Sequence, residues 1–324
     1  MRHLEPLEGR TLFASYAAST VSQLISAINS ANSSAVADTI TLAAGAIFSL
    51  TAVDNTTDPD GPNGLPVITA EGGELTIAGN GATIERSTEA GTPTFRLLNV
   101  DFDAVLTLSD LTLQGGYATA QSGRARGGAI FAIGGPSGFL HLQNVIVQNN
   151  SAVGADGRVV FGFSVIGQSA DGGGIAAGTF TAVGCTIRNN LAQGGRGAEN
   201  STTAARHGQS ARGGGIFGEG NMTDCLIMGN TARGGDASGG IGGTAVGGGA
   251  YLFGGELRTV TITENAAIAG VGVSRKAAGE GYGGGIYGAF LDTVGLDAFT
   301  VRNAKHNTAS DVPRNIAGSY FKLV

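Results

Sequence analysis

Residues 213–230 read GGGIFGEGNMTDCLIMGN, and this stretch decides the fold because versions of it recur along the chain. A glycine-rich phrase that ends in an apolar residue is followed by a strand-like phrase that ends near asparagine. Copies of about 34 to 45 residues predict a solenoid, in which stacked copies bury their apolar faces together. The glycine phrases are GGAI (127–130), GGGI (172–175), GGGI (213–216), GGGA (247–250) and GGGI (283–286), and the strand phrases are VIVQNN (145–150), CTIRNN (185–190), CLIMGN (225–230), VTITEN (260–265) and FTVRNA (299–304).

Aligned on their last residue, the strand phrases give three apolar columns. The alternation of apolar and polar residues is the period of a β-strand with one buried face. Each column therefore predicts a ladder of like side chains, and the end column predicts an asparagine ladder. From the strand end backwards, the columns are Asn150, Asn190, Asn230, Asn265 and Ala304; Val147, Ile187, Ile227, Ile262 and Val301; Val145, Cys185, Cys225, Val260 and Phe299; and Leu142, Ala182, Met222, Leu257 and Leu296.

Three repeat architectures contain stacked strands: the β-propeller, the leucine-rich repeat and the parallel β-helix. A propeller needs four strands per copy, and a leucine-rich repeat needs helices, which segments so rich in glycine cannot form. A parallel β-helix with three short strands per coil fits best, and the 57 Gly among 324 residues suit its tight corners. Segments 152–170, 193–211, 233–246 and 267–282 are expected to leave one corner as loops that can be shortened at little cost.

The ends of the chain depart from the repeat. Apolar residues at helical spacing predict a capping helix over 20–33, with Ser22 as its N-cap. Such a helix would cover the first rung, whose free edge would otherwise invite aggregation. Residues 38–110 read as irregular early coils, 111–307 as the regular coils and 308–324 as a closing segment.

A resemblance covers residues 21–320. The run LISAINSAN (24–32), DTITLAAGAIFSLT (38–51), GPNGLPVIT (61–69) and LTIAGNGATIERS (75–87), with the repeats behind it, resembles bacterial right-handed parallel β-helix repeat proteins of the polymorphic outer-membrane-protein-like kind. The resemblance implies an all-β, single-domain, right-handed parallel β-helix with a pectin lyase-like fold. It implies a surface or secreted location and assigns no activity.

A second resemblance lies at the start of the chain. Residues 4–14, LEPLEGRTLFA, are similar to the short Leu-Glu-Pro motif of planctomycete exported and surface proteins, with Leu7 where a basic residue usually stands. The resemblance implies export, so residues 1–19 are interpreted as a disordered export segment of an extracellular or cell-surface protein. No apolar run in the sequence reaches the ~20 residues of a membrane span. We also expect the protein to be a monomer.

Composition narrows the partners. The formal net charge is −6, and the basic residues are scattered with few aromatic residues beside them. Proteins that bind nucleic acid concentrate their basic residues on one face. The composition therefore argues against nucleic acid as a partner. Polysaccharide or cell-envelope components are the partners we expect of a surface or secreted β-helix protein.

Two clusters suggest chemistry at first sight. Asp54, Asp58, Asp60 and Asn63 are spaced like the oxygen ligands of a calcium loop, but a solvated glycine–proline turn explains them equally well. Calcium is therefore the one cofactor left open. Cys185 and Cys225 share a column, and buried thiols explain them better than a disulfide.

The residues that precede the glycine phrases form the most informative candidate site. Stacking would place Arg126, Asp171 and Arg212 on consecutive rungs, with Arg206 and His207 in a neighbouring loop. Arg126, Asp171, Arg206 and Arg212 are the candidate binding residues for an anionic group on a sugar. A surface charge ladder would explain the same pattern.

The sequence leaves two classes of function open. The favoured one is a secreted or cell-surface protein with a structural, adhesive or carbohydrate-binding role. The alternative is a polysaccharide lyase, glycoside hydrolase or epimerase, for which Asp171, His207 and Arg212 would be the catalytic candidates.

Overall fold

The computed structural model describes residues 14–57, 61–119, 123–132, 134–135, 138–199, 204–274, 277–289 and 293–324. These residues form mostly short parallel strands wound into a β-helix, which confirms the predicted all-β fold. The Leu-Glu-Pro motif lies outside the described residues. Ala14–Ala18 already pair with Asp38–Leu42, so the helical sheet begins before the predicted boundary at residue 20.

Within the described residues, the strands form three parallel sheets and two antiparallel hairpins. The largest sheet comprises Ala14–Ala18, Asp38–Leu42, Ile47–Leu50, Glu74–Arg86, Leu98–Val100, Val105–Gln114, Ile130–Ala132, Phe139–Gln143, Ile146–Gln148, Ile175–Val183, Thr186–Arg188, Ile216–Thr223, Leu226–Met228, Ala250–Leu252, Gly255–Arg258, Thr261–Thr263, Ile286–Gly288, Val294–Leu296, Ala304–Lys305, Ile316–Gly318 and Phe321–Lys322. The six-stranded sheet comprises Tyr117–Ala118, Ser151–Val153, Leu191–Gln193, Thr231–Arg233, Ala266–Ile268 and Thr308–Ala309. The five-stranded sheet comprises Ala125–Arg126, Ala170–Asp171, Ala211–Arg212, Ala245–Val246 and Gly281–Tyr282. The antiparallel hairpins are Asn55–Thr57 with Gly61–Asn63, and Arg158–Val160 with Phe163–Val165.

A regular coil therefore has five parallel segments instead of the predicted three. The glycine phrase leads into three segments of the largest sheet, and the six-stranded and five-stranded sheets follow. The last two segments are only two or three residues long. Most of these strands bury a single alanine, which is a weak apolar signal, and the strand period therefore did not reveal them.

The predicted columns are paired rungs over most of their length. Val147 pairs with Ile187, Ile187 with Ile227, and Ile227 with Ile262, and all four side chains are buried. The column of Leu142, Ala182, Met222, Leu257 and Leu296 is also in register. These side chains fill the interior of the coil and form its main core.

The last coil departs from the predicted register. Helix α2 (Ala298–Asn303) replaces a strand there, so Ala304 pairs with Ile262 where Val301 was expected. Thr300 takes the place predicted for Phe299, and its Oγ1 accepts a hydrogen bond from the Val260 N–H at 3.1 Å. The asparagine ladder then continues through Asn307, three residues beyond the predicted Ala304.

A helix covers the first rungs of the coil. Helix α1 (Val21–Ala31) buries Leu24, Ala27 and Ile28 against the first rungs, as expected of a cap. Its N-cap is Thr20, whose hydroxyl accepts a hydrogen bond from the Gln23 N–H, and so the prediction of Ser22 was two residues late. Short 3-10 helices span Ala70–Gly72 and Ala204–Arg206.

A second core consists of alanine. The six-stranded and five-stranded sheets face each other, and the side chains between them belong to one size class. Alanine brings two backbones close together because only a methyl group must fit between them. The buried residues are Ala118, Ala125, Ala152, Ala170, Ala192, Ala211, Ala232, Ala245 and Ala267.

The predicted loops form a packed layer beyond this alanine core. We call the described residues within 154–169, 194–210, 234–244 and 269–280 the loop layer. Backbone hydrogen bonds of 2.8 or 2.9 Å join its neighbouring segments. They run from Gly195 N–H to Gln168 O, Gln209 N–H to Gly195 O, Gly235 N–H to Gln209 O, Gly243 N–H to Gly235 O and Gly270 N–H to Gly243 O. These segments therefore pack as part of the scaffold, and this packing argues against the expectation that they can be shortened at little cost.

Candidate functional site

The five-stranded sheet carries the column of charged residues predicted from the sequence. Arg126 pairs with Asp171, and Asp171 pairs with Arg212, on consecutive strands. The column continues through Val246 and Tyr282. We use the name arginine face for the outer surface formed by this column, by Arg124 and by the neighbouring aromatic residues Phe131, Phe217, Tyr251 and Tyr287.

Asp171 organises the arginine face. Its carboxylate accepts two hydrogen bonds from Arg212, from Nε at 2.7 Å and from Nη2 at 2.8 Å, and a third from Arg124 Nη1 at 3.2 Å. Asp171 itself is only 1% exposed. A planar guanidinium bound at two points has a fixed orientation, so Asp171 positions Arg212 and holds Arg124 beside it.

Burial perturbs the ionisation of Asp171. It raises the pKa of the carboxyl group to about 7, while the positive charges of Arg124 and Arg126 oppose the rise. We expect carboxyl NMR to show an Asp171 titration near pH 7.

The raised pKa also predicts how stability depends on pH. Between about pH 4 and 7 the folded protein keeps a proton on Asp171 that the unfolded chain has released. The free energy of unfolding of the wild type, relative to that of Asp171→Asn, should therefore fall as pH rises through this interval and level off above it. Urea denaturation at several pH values measures the difference, and parallel pH profiles for the two proteins would contradict the assignment.

An aromatic column lies beside the charged column. Arg126 sits 4.7 Å from the centre of the Phe131 ring, and Arg212 sits 4.5 Å from that of Phe217. The Phe217 and Tyr251 rings stack at 5.4 Å, and those of Tyr251 and Tyr287 at 5.3 Å. The stacked rings turn their faces toward one another, so they support the arginine side chains and offer mainly their edges to solvent.

The sequence carries its own signal for this aromatic column. The residue after each glycine phrase is Phe131, Ala176, Phe217, Tyr251 or Tyr287, which is aromatic in four of five copies. Arg124 was also missed, because it stands two residues before Arg126 and outside the aligned positions. Its guanidinium is half exposed and bound to Asp171.

The remaining candidate residues lie elsewhere. Arg206 ends a 3-10 helix in the loop layer, and His207 Nδ1 accepts a hydrogen bond from the Ile241 N–H at 2.9 Å. Neither residue has a hydrogen bond or ion pair to Asp171 within the described residues. Arg206 and His207 therefore do not complete the site formed by Asp171 and Arg212.

The proposed calcium ligands do not form a set within the described part of the chain. Asn63 is buried, and its Oδ1 accepts a hydrogen bond from the buried Arg96 Nη1 at 2.8 Å. A positive charge at that distance makes the oxygen unsuitable for a divalent cation. Asp54 is exposed and accepts from the Asn55 amide. Asp58 and Asp60 lie outside the described residues, which contain no cluster of three His, Cys, Asp or Glu side chains able to hold a metal.

The two cysteines are unbonded thiols in the core. They stand on adjacent rungs, and the Cys185 N–H donates a hydrogen bond to Cys225 Sγ at 3.4 Å. This agrees with the sequence interpretation of two buried thiols in one column.

Comparisons with known proteins add no assignment. No protein-family model matches the chain, and searches of curated proteins and of solved structures also return no match. Within the part of the chain that the structure describes, no helix is long and apolar enough to cross a bilayer. The paired strands and the buried asparagine ladder define the chain as a parallel β-helix repeat protein.

Proposed function

We propose that this chain is a secreted or cell-surface β-helix protein with an adhesive role, and that its arginine face binds acidic polysaccharide. The observation that carries the proposal is the set of three arginines fixed around one buried carboxylate. Arg124 and Arg212 bind Asp171 directly, and Arg126 occupies the adjacent rung. The export half of the proposal rests on the two sequence resemblances.

The charge of the arginine face suits a carboxylated or sulfated sugar. Three guanidinium groups surround one carboxyl group, which leaves an excess of positive charge, and Arg124 is exposed enough to contact a ligand. Guanidinium groups bind carboxylate and sulfate oxygens with paired hydrogen bonds. Because the charges lie at a surface, binding should be weak per site and sensitive to salt.

The enzymatic alternative has one observation in its favour. A carboxyl group with a pKa raised to about 7 is suited to general acid–base chemistry at neutral pH. However, Arg212 and Arg124 occupy its two oxygens, and Asp171 is buried beneath them. A substrate would have to displace both arginines to reach it, so the geometry favours a positioning role for Asp171.

A glycan array tests the proposal. We expect wild-type protein to retain uronic-acid or sulfated glycans at low salt, and Arg124→Ala/Arg126→Ala to lose at least about tenfold in affinity. This pair leaves the Arg212–Asp171 bonds intact, so the fold should persist. Arg196→Ala/Arg302→Ala removes the same charge from other exposed positions and serves as the matched control.

The outcomes separate binding from catalysis. Equal retention by the two double variants would remove the arginine face as the binding site. Release of shortened oligosaccharides by the wild type, lost in Asp171→Asn, would instead support the enzymatic alternative. Both readouts can be taken from the same glycans.

A further inference from the structure

A short hairpin in the first segment of the loop layer has a surface unlike the rest of the scaffold. Arg158–Val160 pair antiparallel with Phe163–Val165, and Phe161 and Gly162 form the two-residue turn. The hairpin is a separate two-stranded sheet. We call residues 158–166, RVVFGFSVI, the finger.

The finger exposes apolar side chains at its tip and along its strands. Phe161 is 97% exposed and Phe163 is 77% exposed, while Val159, Val165 and Ile166 are also exposed. Because successive strand residues point to opposite faces, Val159 lies on one face and Phe163 and Val165 lie on the other. A contiguous apolar surface of this kind marks an interaction site more often than isolated exposed residues do.

The backbone conformation at the tip of the finger also disfavours the phenylalanine found there. Phe161 has φ +50° and Gly162 has φ +81°. Two-residue hairpin turns with positive φ at both positions favour Asn-Gly, since a bulky side chain is disfavoured in the left-handed region. Neither turn chemistry nor core packing explains a phenylalanine here, so its exposure calls for a ligand.

We infer that the finger inserts into the interfacial region of a lipid bilayer. Apolar side chains at the tip and on both faces need an environment that surrounds them, whereas a flat protein surface would cover one face only. Three residues per strand give a reach of about 10 Å, which matches the about 5–10 Å depth of the headgroup and acyl boundary. Arg158 is the one charged residue of the finger, so its charge complements anionic headgroups.

Later segments of the loop layer extend the same kind of surface. Ile241 lies in the third segment, and Val271 and Val273 lie in the fourth, and all three are exposed. The third and fourth segments are bonded to each other, with the Val273 N–H donating to Gly240 O. The loop layer would therefore meet a bilayer at more than one point, which multiplies weak contacts.

The chain provides a clean spectroscopic test because it has no Trp. Phe161→Trp in the full chain places one reporter at the tip. With vesicles of phosphatidylcholine, alone or mixed with phosphatidylglycerol, we expect a blue-shifted emission and quenching by brominated acyl chains. Phe161→Ser/Phe163→Ser should lower the vesicle partition coefficient of the wild type at least tenfold, and Phe102→Ser, an exposed phenylalanine elsewhere, should leave it unchanged.

Other results would overturn the inference. Binding of the wild type to anionic vesicles that Phe161→Ser/Phe163→Ser does not weaken would show simple electrostatic adsorption. Self-association that this variant abolishes, without vesicle binding, would show that the finger docks on a second copy. Absence of vesicle binding and of self-association would also refute it. Arg124→Ala/Arg126→Ala should bind vesicles like the wild type, so the inference can fail independently of the glycan proposal.

Discussion

Gly235→Ala is expected to destabilise the protein by about 3 kcal/mol or more, although it adds one methyl group. A Cβ at Gly235 would lie 1.9 Å from the Gly195 carbonyl oxygen and 2.6 Å from its carbon. Both contacts are with backbone, which cannot move aside as a side chain can. The Gly235 N–H donates to Gln209 O, and the Gly235 carbonyl accepts from the Gly243 N–H. A backbone shift that relieves the clash would therefore strain both of these hydrogen bonds.

Gly254→Ala is the matched control for this prediction. Its Cβ would meet its nearest atom at 3.3 Å, and two of its three nearest atoms belong to the Glu219 side chain. We expect the change in unfolding free energy to stay within about 1 kcal/mol. Urea denaturation followed by circular dichroism measures both variants. Equal stability of the two would mean that the loop layer does not pack as tightly as the structure indicates.

Asn230→Leu should cost at least about 4 kcal/mol, because one buried amide serves four hydrogen bonds in the ladder. Its Oδ1 accepts from the Asn190 N–H at 3.0 Å and from Asn190 Nδ2 at 2.9 Å. Its Nδ2 donates to the carbonyl of Ile187 and to Asn265 Oδ1, both at 2.9 Å. Leucine has nearly the same volume but removes all four bonds, so the buried Asn190 N–H loses its acceptor and the other three groups each lose one partner.

Asn29→Ala, which replaces an asparagine outside the ladder, is the control variant for Asn230→Leu. Asn29 lies on the exposed side of helix α1, and its replacement should change the unfolding free energy by no more than about 0.5 kcal/mol. Thermal melting of both variants at one protein concentration is sufficient. A melting temperature of Asn230→Leu close to that of Asn29→Ala would show that solvent or a rearranged rung satisfies the ladder.

The repeated apolar columns made the fold predictable, and the predicted register failed only where the repeat changes, in the last coil. Ile187, Ile227 and Ile262 occupy one column in the sequence and one ladder in the structure, because each parallel rung repeats the environment of the one before. In the last coil, helix α2 uses more residues to span the same corner. An alignment by spacing alone therefore placed Val301 where Ala304 lies.

The candidate site was predictable only as a column. The position before each glycine phrase brought Arg126, Asp171 and Arg212 together, because pairing follows the repeat. The burial of Asp171 and its bonds to Arg124 and Arg212 depend on side chains that cross between rungs. No spacing in the sequence encodes such contacts.

The sequence by itself determined the parallel β-helix, its capping helix, most core columns and the asparagine ladder, because these depend on residue type recurring at fixed intervals. Only the tertiary structure decided the alanine core, the packed loop layer and the exposed finger. Glycine at positions such as Gly195 and Gly235 is compatible with both a solvated loop and close backbone packing, and the approach of a neighbouring carbonyl distinguishes the two. The carbonyl belongs to a segment about 40 residues away in the chain, and local sequence cannot specify a contact between segments so far apart.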